Sequence, residues 1–373
     1  MELIETKFPD YFALPGFCDL HSHFPQYNII GIDSGTLPEW LNNLVFPQEM
    51  KIDDYESAYS LAFRFFQEAL KYGTTCITAY STSSEIATDA AFQAAQDLNI
   101  TAMIGNTMMD RNAPAPLLKS PDENIQIAER LCKKWHNANG GKLKFVVTPR
   151  FALSCSEKLL KRAAEFAHAN DLYIQTHLAE NTKEITDTLK LFPDASNYTD
   201  VYRRCGLLGE KTLLAHCIYL SAEEIEMIKD AGATIVHCPS SNTHLRSGIM
   251  PFADYSSQNL NLGIGTDVGA GESLSVLAEM KNAIEVAKIR EANGNKNSYR
   301  TVSQVNTVTA YKTMQLAKQR IFGNDNSYAL FAKSTILANP LVKTEEDIIR
   351  EIIYKYANKY PDKIIIDGIV ANI

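Results

Sequence analysis

The chain has 373 residues, of which 45% are hydrophobic and 21% charged, and its formal net charge is −8 at pH 7. This is the composition of a soluble globular protein, and the acidic balance argues against nucleic-acid partners and anionic membranes, which both require clusters of Lys and Arg. No apolar run approaches the roughly 20 residues of a membrane helix, and the first residues lack a signal-peptide profile. The seven cysteines contain no Cys-x-x-Cys pair, which indicates reduced thiols and predicts a cytoplasmic protein.

Eight short apolar runs recur along the chain and alternate with longer amphipathic stretches. They are rich in Val, Ile, Thr and Leu, and their nearly continuous apolarity is typical of strands buried on both faces. In chain order the predicted strands are 16–23, 74–81, 100–107, 143–150, 172–178, 212–217, 234–238 and 260–267.

Helical periodicity lies between most of these runs. Segment 221–230 begins Ser-Ala-Glu-Glu, in which Ser221 and Glu224 have the spacing of a capping box. Segment 156–169 begins at Ser156, a residue type favoured just before a helix. The predicted helices are 54–72, 122–136, 156–169, 221–230 and 272–291.

Eight strands that alternate with helices predict an α/β fold, a (β/α)8 TIM barrel over residues 12–325. An open doubly wound sheet is the alternative, but it usually carries a Gly-rich phosphate turn after its first strand, and the sequence has none. The tail has a different pattern, with predicted short strands at 336–338 and 363–373 around a helix at 345–357. We expect residues 1–11 and 326–373 to form a reduced β element together with this C-terminal helix.

Polar side chains fall at or just beyond the ends of the predicted strands. In a (β/α)8 barrel the C-terminal strand ends form the active-site face. His21 and His23 are two residues apart on one strand, so both imidazoles point to the same face, as metal ligands would. A set of satisfied core histidines is the alternative, but it does not explain why they gather at one end. The residues at strand ends are His21, His23, His177, His216, His237 and Asp267.

Glu180 lies three residues after His177, just past the end of a predicted strand. A metal lowers the pKa of its bound water to about 7, and a neighbouring carboxylate can take the proton and pass it to a substrate. We therefore predict that Glu180 is a proton shuttle, with a solvated loop acid as the alternative. His216 is either a further ligand or a second polar group on the water. We expect Asp267 both to bind the metal and to accept a hydrogen bond from the metal-activated hydroxide.

Seven motifs resemble the amidohydrolase superfamily and, within it, the guanine deaminase family. The first is Pro-Gly-Phe-Cys-Asp-Leu-His-Ser-His-Phe-Pro-Gln-Tyr at 15–27. The combination of Phe-Pro-Gln-Tyr with Thr-Pro-Arg-Phe at 148–151 is the specific part of the resemblance. The other motifs lie at 38–41, 197–202, 215–217, 237–242 and 265–268, and the resemblance covers residues 10–320.

The resemblance implies the hydrolytic deamination of guanine to xanthine and ammonia by a metal-activated water. It implies a small-molecule purine substrate, a homodimer and one zinc ion per chain, with iron as the alternative metal. The implied metal ligands are His21, His23, His177 and Asp267, with Glu180 as the shuttle and His216 on the water or substrate. The residues assigned to the purine are Gln26, Trp40, Arg150, Phe151 and His237, with Arg150 placed for the carbonyl oxygen O6.

The sequence departs from the family in its small domain, and two other functions stay open. The family normally has a β-sandwich made from both chain ends, whereas here the opening motif begins at Pro15 and residues 331–337 read Phe-Ala-Lys-Ser-Thr-Ile-Leu. The first alternative is a deaminase of the same superfamily that acts on another purine, a pterin or a triazine. The second is a non-catalytic barrel that serves as a scaffold, which the complete set of ligands disfavours.

Overall fold

The computed structural model describes residues 6–33, 35–294, 305–323 and 325–373. Within these ranges no helix combines the length and apolarity needed to cross a membrane. The strands are β1 Tyr11–Pro15, β2 Phe17–His23, β3 Thr74–Tyr80, β4 Thr101–Gly105, β5 Thr107–Met108, β6 Leu143–Phe145, β7 Thr148–Pro149, β8 Ile174–Leu178, β9 Thr212–His216, β10 Thr234–His237, β11 Asn261–Ile264, β12 Tyr328–Ala332, β13 Lys363–Ile366 and β14 Ile369–Val370.

The helices cover the outside of the sheet and the mouth of the barrel. They are α1 Leu37–Trp40, α2 Phe46–Glu49, α3 Tyr55–Lys71, α4 Glu85–Asp97, α5 Pro121–Trp135, α6 Glu157–Ala169, α7 Thr182–Leu191, α8 Tyr198–Arg204, α9 Ala222–Ala231, α10 Pro239–His244, α11 Phe252–Ser257, α12 Val276–Gly294, α13 Thr307–Ile321, α14 Lys333–Ile336 and α15 Glu345–Tyr356. A π-helical segment, Leu41–Val45, joins α1 to α2.

Eight parallel strands close into the predicted (β/α)8 barrel. The strands β2, β3, β4 and β6 pair in this order, as do β8, β9, β10 and β11. A parallel bridge between Val147 and Ile174 joins the two sheets on one side. On the other side the backbone N–H of Asp267 donates to the carbonyl of His21 at 2.7 Å. A Cβ atom on Gly265 would lie 2.6 Å from that of His21, so the glycine permits this close approach.

The predicted helices begin at the expected capping residues, but one of them begins later than predicted. Ser221 and Glu224 form the capping box of α9, and Ser156 accepts a hydrogen bond from the N–H of Leu159 at the start of α6. The helix predicted at 272–291 begins at Val276. Residues 268–275 form a loop at the barrel mouth, and the helix begins only after Ser275, whose Oγ accepts from the N–H of Ala278 at 3.2 Å.

A small antiparallel sheet of order β1-β12-β13-β14 lies beside the barrel. The predicted strand at 336–338 is wrong, because the chain forms α14 and a turn there. Only Ile336 of this apolar run is buried, whereas Leu337 is 50% exposed, so the run packs one side chain from a helical turn. The strand lies earlier, at β12, between β1 and β13. Residues 1–5 of the predicted β element lie outside the described residues.

A buried lysine connects this sheet to the base of the barrel. Lys318 of α13 is 3% exposed. Its Nζ donates to the carbonyl of Gly16, between β1 and β2, at 2.7 Å and to Oδ1 of Asp325, before β12, at 2.7 Å. The bonds hold the two segments that enter the small sheet against α13.

Candidate active site

Several residues at the C-terminal ends of barrel strands adopt left-handed backbone conformations. They are not glycines, yet φ is +52° at Ala179, +71° at His216, +50° at Cys217 and +47° at Asp267. Such conformations cost free energy for residues with a Cβ and persist only where the surroundings enforce them. The strained positions lie at or just after the C-terminal ends of β8, β9 and β11, where residues of the predicted site are found.

Three imidazole nitrogens and one carboxylate oxygen meet at the mouth of the barrel. Nε2 of His23 lies 3.3 Å from Nε2 of His21 and 3.3 Å from Nε2 of His177. Oδ1 of Asp267 lies 3.2 Å from Nε2 of His21 and 3.3 Å from Nε2 of His23. All four atoms lie within 4.8 Å of one another. The structure thus brings together the four residues predicted as ligands.

These donor atoms fit one divalent metal ion. Two donors bound at about 2.0–2.1 Å with a tetrahedral angle lie about 3.3 Å apart, which matches the four donor separations of 3.2–3.3 Å given above. Burial lowers the pKa of His21, His23 and His177, which keeps the imidazoles neutral and able to ligate. Nδ1 of His177 donates to the carbonyl of Arg150 at 2.7 Å, which turns its Nε2 toward the other ligands.

Asp267 is held as a carboxylate by its neighbours. Burial by itself would raise the pKa of Asp267, but the surrounding imidazoles, that of His21 first, outweigh burial and hold the pKa well below its usual range. Oδ2 accepts a hydrogen bond from Oγ of Ser241 at 2.6 Å. The preceding residue, Thr266, donates its N–H and its hydroxyl to the buried carboxyl group of Asp19, at 2.9 and 2.5 Å. These bonds fix the strand end that carries Asp267.

Glu180 and His216 face each other beside the ligands. Oε1 of Glu180 accepts from Oγ of Ser247 at 2.9 Å, and Oε2 lies 3.6 Å from Nε2 of His216. Nδ1 of His216 donates to Oδ1 of Asn242 at 2.8 Å, so Nε2 is the nitrogen that faces the site. Burial raises the pKa of Glu180. For His216 burial acts to lower the pKa, but the carboxylates of Glu180 and Asp267 outweigh it and the pKa is raised.

A pocket with an empty volume of about 380 Å³ opens beside this cluster. Leu37 and Trp40 of α1 and Leu41, the first residue of the π-helical segment, line it, and π-helical turns are frequent at functional sites. The amide Oε1 of Gln26 and the indole Nε1 of Trp40 are buried without a partner in the described part of the chain. Four residues predicted to contact the purine line the pocket, namely Gln26, Trp40, Arg150 and Phe151.

His237, which was predicted to contact the purine, does not line the pocket in this structure. Its ring packs against Phe252 of α11, with centroids 5.3 Å apart, and the side chain is 1% exposed. Burial lowers the pKa of His237 to about 3, and among the described residues neither ring nitrogen has a hydrogen-bond partner. The motif still contributes to the site through Ser241 and Asn242, which hold Asp267 and His216.

Four further residues that contribute to the site were not assigned a role from the sequence. Ser247 holds Glu180, and Glu49 pairs with Arg150. The hydroxyls of Tyr198 and Tyr202 support the loops that follow β7 and β8. The tyrosines belong to the motif at 197–202, which the resemblance pointed out without a function. Neither Ser247 nor Glu49 has a spacing to the predicted ligands that a sequence pattern would reveal.

The chain is similar to proteins of known activity. A sequence profile of the Amidohydrolase family matches residues 12–319. A guanine deaminase of Escherichia coli (strain K12) is 34% identical over 278 residues, which are 74% of this chain and 63% of that protein. A guanine deaminase of Rattus norvegicus is 35% identical over 329 residues, which are 87% of this chain and 72% of that protein. The chain thus spans less than two thirds of the first of these relatives.

A solved structure supports the same relationship. The guanine deaminase from C. acetobutylicum with bound guanine in its active site superposes with a TM-score of 0.90 and 30% sequence identity. The superposition covers 98% of this chain and 88% of that chain. An adenosine deaminase from Xanthomonas campestris with bound zinc shares the fold, with a TM-score of 0.81 at 21% identity.

Proposed function

Because the chain belongs to the amidohydrolase family, we propose that it catalyses the hydrolytic deamination of guanine to xanthine and ammonia. The proposal depends mainly on one observation: a cluster of four potential metal ligands and an acid share a single pocket with a cation, an amide and an aromatic ring. Guanine is a planar neutral heterocycle that needs such a donor, acceptor and wall. The names of the relatives point to the same substrate.

The pocket residues take the roles that their chemistry allows. We propose that Arg150 donates to O6 of guanine and that Gln26 binds the adjoining edge of the ring. Phe151, whose ring centroid lies 6.3 Å from that of His177, provides an apolar wall next to the ligands. Trp40 closes the pocket over the ring from α1. Together these contacts would hold C2 of the substrate near Glu180.

We propose one zinc ion per chain, with iron as the alternative, because histidine and carboxylate sites accept both metals. The residues that would hold it are His21, His23, His177 and Asp267. When bound, such an ion supplies Lewis acidity that lowers the pKa of a water to about 7.

The protein's own groups would then move the protons. Glu180 takes a proton from the attacking water and delivers it to ring nitrogen N3, while the water oxygen bonds to C2. His216 and Asp267 hydrogen-bond to the new hydroxyl group. The carbon–nitrogen bond at C2 breaks as the second proton passes to the amino group, which leaves as ammonia and gives xanthine.

We also propose a cytoplasmic location and a homodimeric assembly. A cytoplasmic location agrees with seven cysteines that are all free, as thiols are in a reducing compartment. The homodimer is proposed from the family resemblance alone. Size-exclusion chromatography with light scattering measures the assembly directly.

The decisive experiment measures ammonia release and metal content in the same sample. We expect release from guanine, its loss on treatment with a chelator, and its return on addition of zinc. Adenine, 8-oxoguanine and cytosine serve as comparison substrates. Faster release from one of them would assign the chain to another deaminase specificity, and purified protein without zinc or iron would favour a non-catalytic barrel.

A further inference from the structure

A buried acid lies between two of the residues that we assign to the substrate. Glu49 is the last residue of α2 and is 2% exposed, yet it touches none of the metal ligands. Its two carboxylate oxygens each lie 2.9 Å from Nη1 of Arg150. A carboxylate at this depth is retained only where it is paired, because burial of a lone charge costs several kcal/mol.

The pair fixes the orientation of Arg150. Glu49 engages Nη1 only, and the guanidinium carbon lies 5.3 Å from the ring centroid of Phe46. Within the described part of the chain, Nε and Nη2 make no hydrogen bond, and Arg150 lines the pocket. One edge of the guanidinium is thus anchored while its other N–H groups are available to a ligand.

The same carboxylate determines how Gln26 presents its amide. Nε2 of Gln26 lies 3.5 Å from Oε1 of Glu49, whereas Oε1 of Gln26 is buried without a partner. The reversed amide would place its carbonyl oxygen against a carboxylate, which is repulsive. A Cβ on Gly269 would lie 2.5 Å from this Oε1, and φ is +117° at that residue, so the glycine leaves the space that the amide occupies.

We propose that Glu49 is a positioning residue that determines specificity, because it orients the donor groups of Arg150 and leaves Gln26 to present its amide oxygen as an acceptor in the same pocket. This proposal rests on the proposed function. Guanine presents O6, an acceptor, next to N1–H, a donor, and so matches this order. A 6-aminopurine presents an amino donor next to an N1 acceptor, which is the reverse order. Because the Glu49–Arg150 pair is neutral as a whole, it also suits a neutral substrate.

The test compares Glu49→Gln with a matched surface variant, Glu85→Gln. Glu85 also accepts two hydrogen bonds from an arginine, Arg130, but it lies at the surface, outside the pocket. The readouts are kcat/KM for guanine, the inhibition constant of 2,6-diaminopurine, and metal content. In Glu49→Gln we expect kcat/KM to fall about 10²-fold, the cost of a misplacement of about 1 Å. The inhibition constant of 2,6-diaminopurine should rise much less than 10²-fold or fall, and the metal content of Glu49→Gln should not change. The Glu85→Gln enzyme should match the wild type in all three readouts.

The outcomes separate this proposal from the function on which it rests. Equal losses for guanine and 2,6-diaminopurine, or no loss, in an otherwise active enzyme would overturn the role of Glu49 and leave guanine deamination standing. A wild-type enzyme that releases no ammonia from guanine would overturn the proposed function, and the role of Glu49 with it. If Glu49→Gln does not fold, Glu49→Asp keeps the negative charge on a shorter side chain. In that variant we expect the same selective loss of kcat/KM for guanine, but a smaller one.

Discussion

At the scale of single residues, Glu180 and His216 each use one polar atom to hold their orientation, and this leaves the other polar atom facing the site. Ser247 leaves one oxygen of Glu180 free to face His216, and Asn242 orients His216 in turn. A group whose rotamer and protonation are both fixed transfers protons without first reorganising. The raised pKa of Glu180, caused by burial, brings it closer to that of the water it would deprotonate.

Replacement of Glu180 by Gln tests this role. The amide keeps the shape but accepts no proton, so kcat for ammonia release should fall by about 10²–10⁴-fold. Ser247→Ala keeps the carboxylate and removes only its anchor, so it should lose far less. Steady-state kinetics with metal analysis of each variant measure both effects. Full activity of Glu180→Gln at normal metal content would remove Glu180 from the mechanism.

At the scale of elements, the short helix α8 supports two of the barrel's loops. The hydroxyl of Tyr202 donates to the carbonyl of His177 at 2.7 Å and accepts from the N–H of Ala152 at 3.1 Å. One turn earlier, Tyr198 donates to Glu184, whose other oxygen accepts from the N–H of Glu180 at 3.0 Å. Residues four apart share one face of a helix, so α8 supports His177 and Glu180, the proposed metal ligand and the proposed proton shuttle, from the same side.

Tyr202→Phe should therefore reduce both stability and activity. It leaves the buried N–H of Ala152 without its partner, at a cost of about 1–3 kcal/mol in the free energy of unfolding. The control is Tyr356→Phe, which loses a hydrogen bond to Asp362 in the tail and should leave kcat unchanged. Urea denaturation and steady-state kinetics provide the two measurements. Equal kcat values for the two variants would show that α8 is structural only.

At the scale of the whole molecule, the fold buries carboxyl groups away from the metal ligands as well as near them. Glu279 of α12 is fully buried, and Oε2 accepts from the N–H of Ser240 at 3.1 Å. Its other oxygen has no partner among the described residues. Burial raises the pKa of Glu279 from 4.5 to about 8. The folded protein therefore holds a proton that the unfolded chain releases at neutral pH.

The sign of the resulting pH dependence follows from linkage. The contribution of Glu279 to stability is complete below its unfolded pKa of 4.5 and is lost as pH rises to about 8. The loss is about 1.4 kcal/mol per pH unit between these values. Between about pH 5.5 and pH 8, we expect the free energy of unfolding of Glu279→Gln to depend less on pH than that of the wild type. The control Glu223→Gln, which changes an exposed acid, should show the same pH dependence as the wild type. Urea denaturation across this range measures the slopes, and parallel slopes would contradict the prediction.

The barrel strands, the capped helix starts and the gathering of polar residues at strand ends could be predicted from the amino-acid sequence. These features are local: periodicity and caps depend on neighbours within a few residues. The pairing of Glu49 with Arg150, which lies 101 residues away, could not be predicted in this way, and neither could the packing of His237 on Phe252. The tertiary structure also decided that Ile336 packs from a helical turn. A side chain's partner depends on which loops fold over the barrel mouth, and that arrangement leaves no period in the sequence.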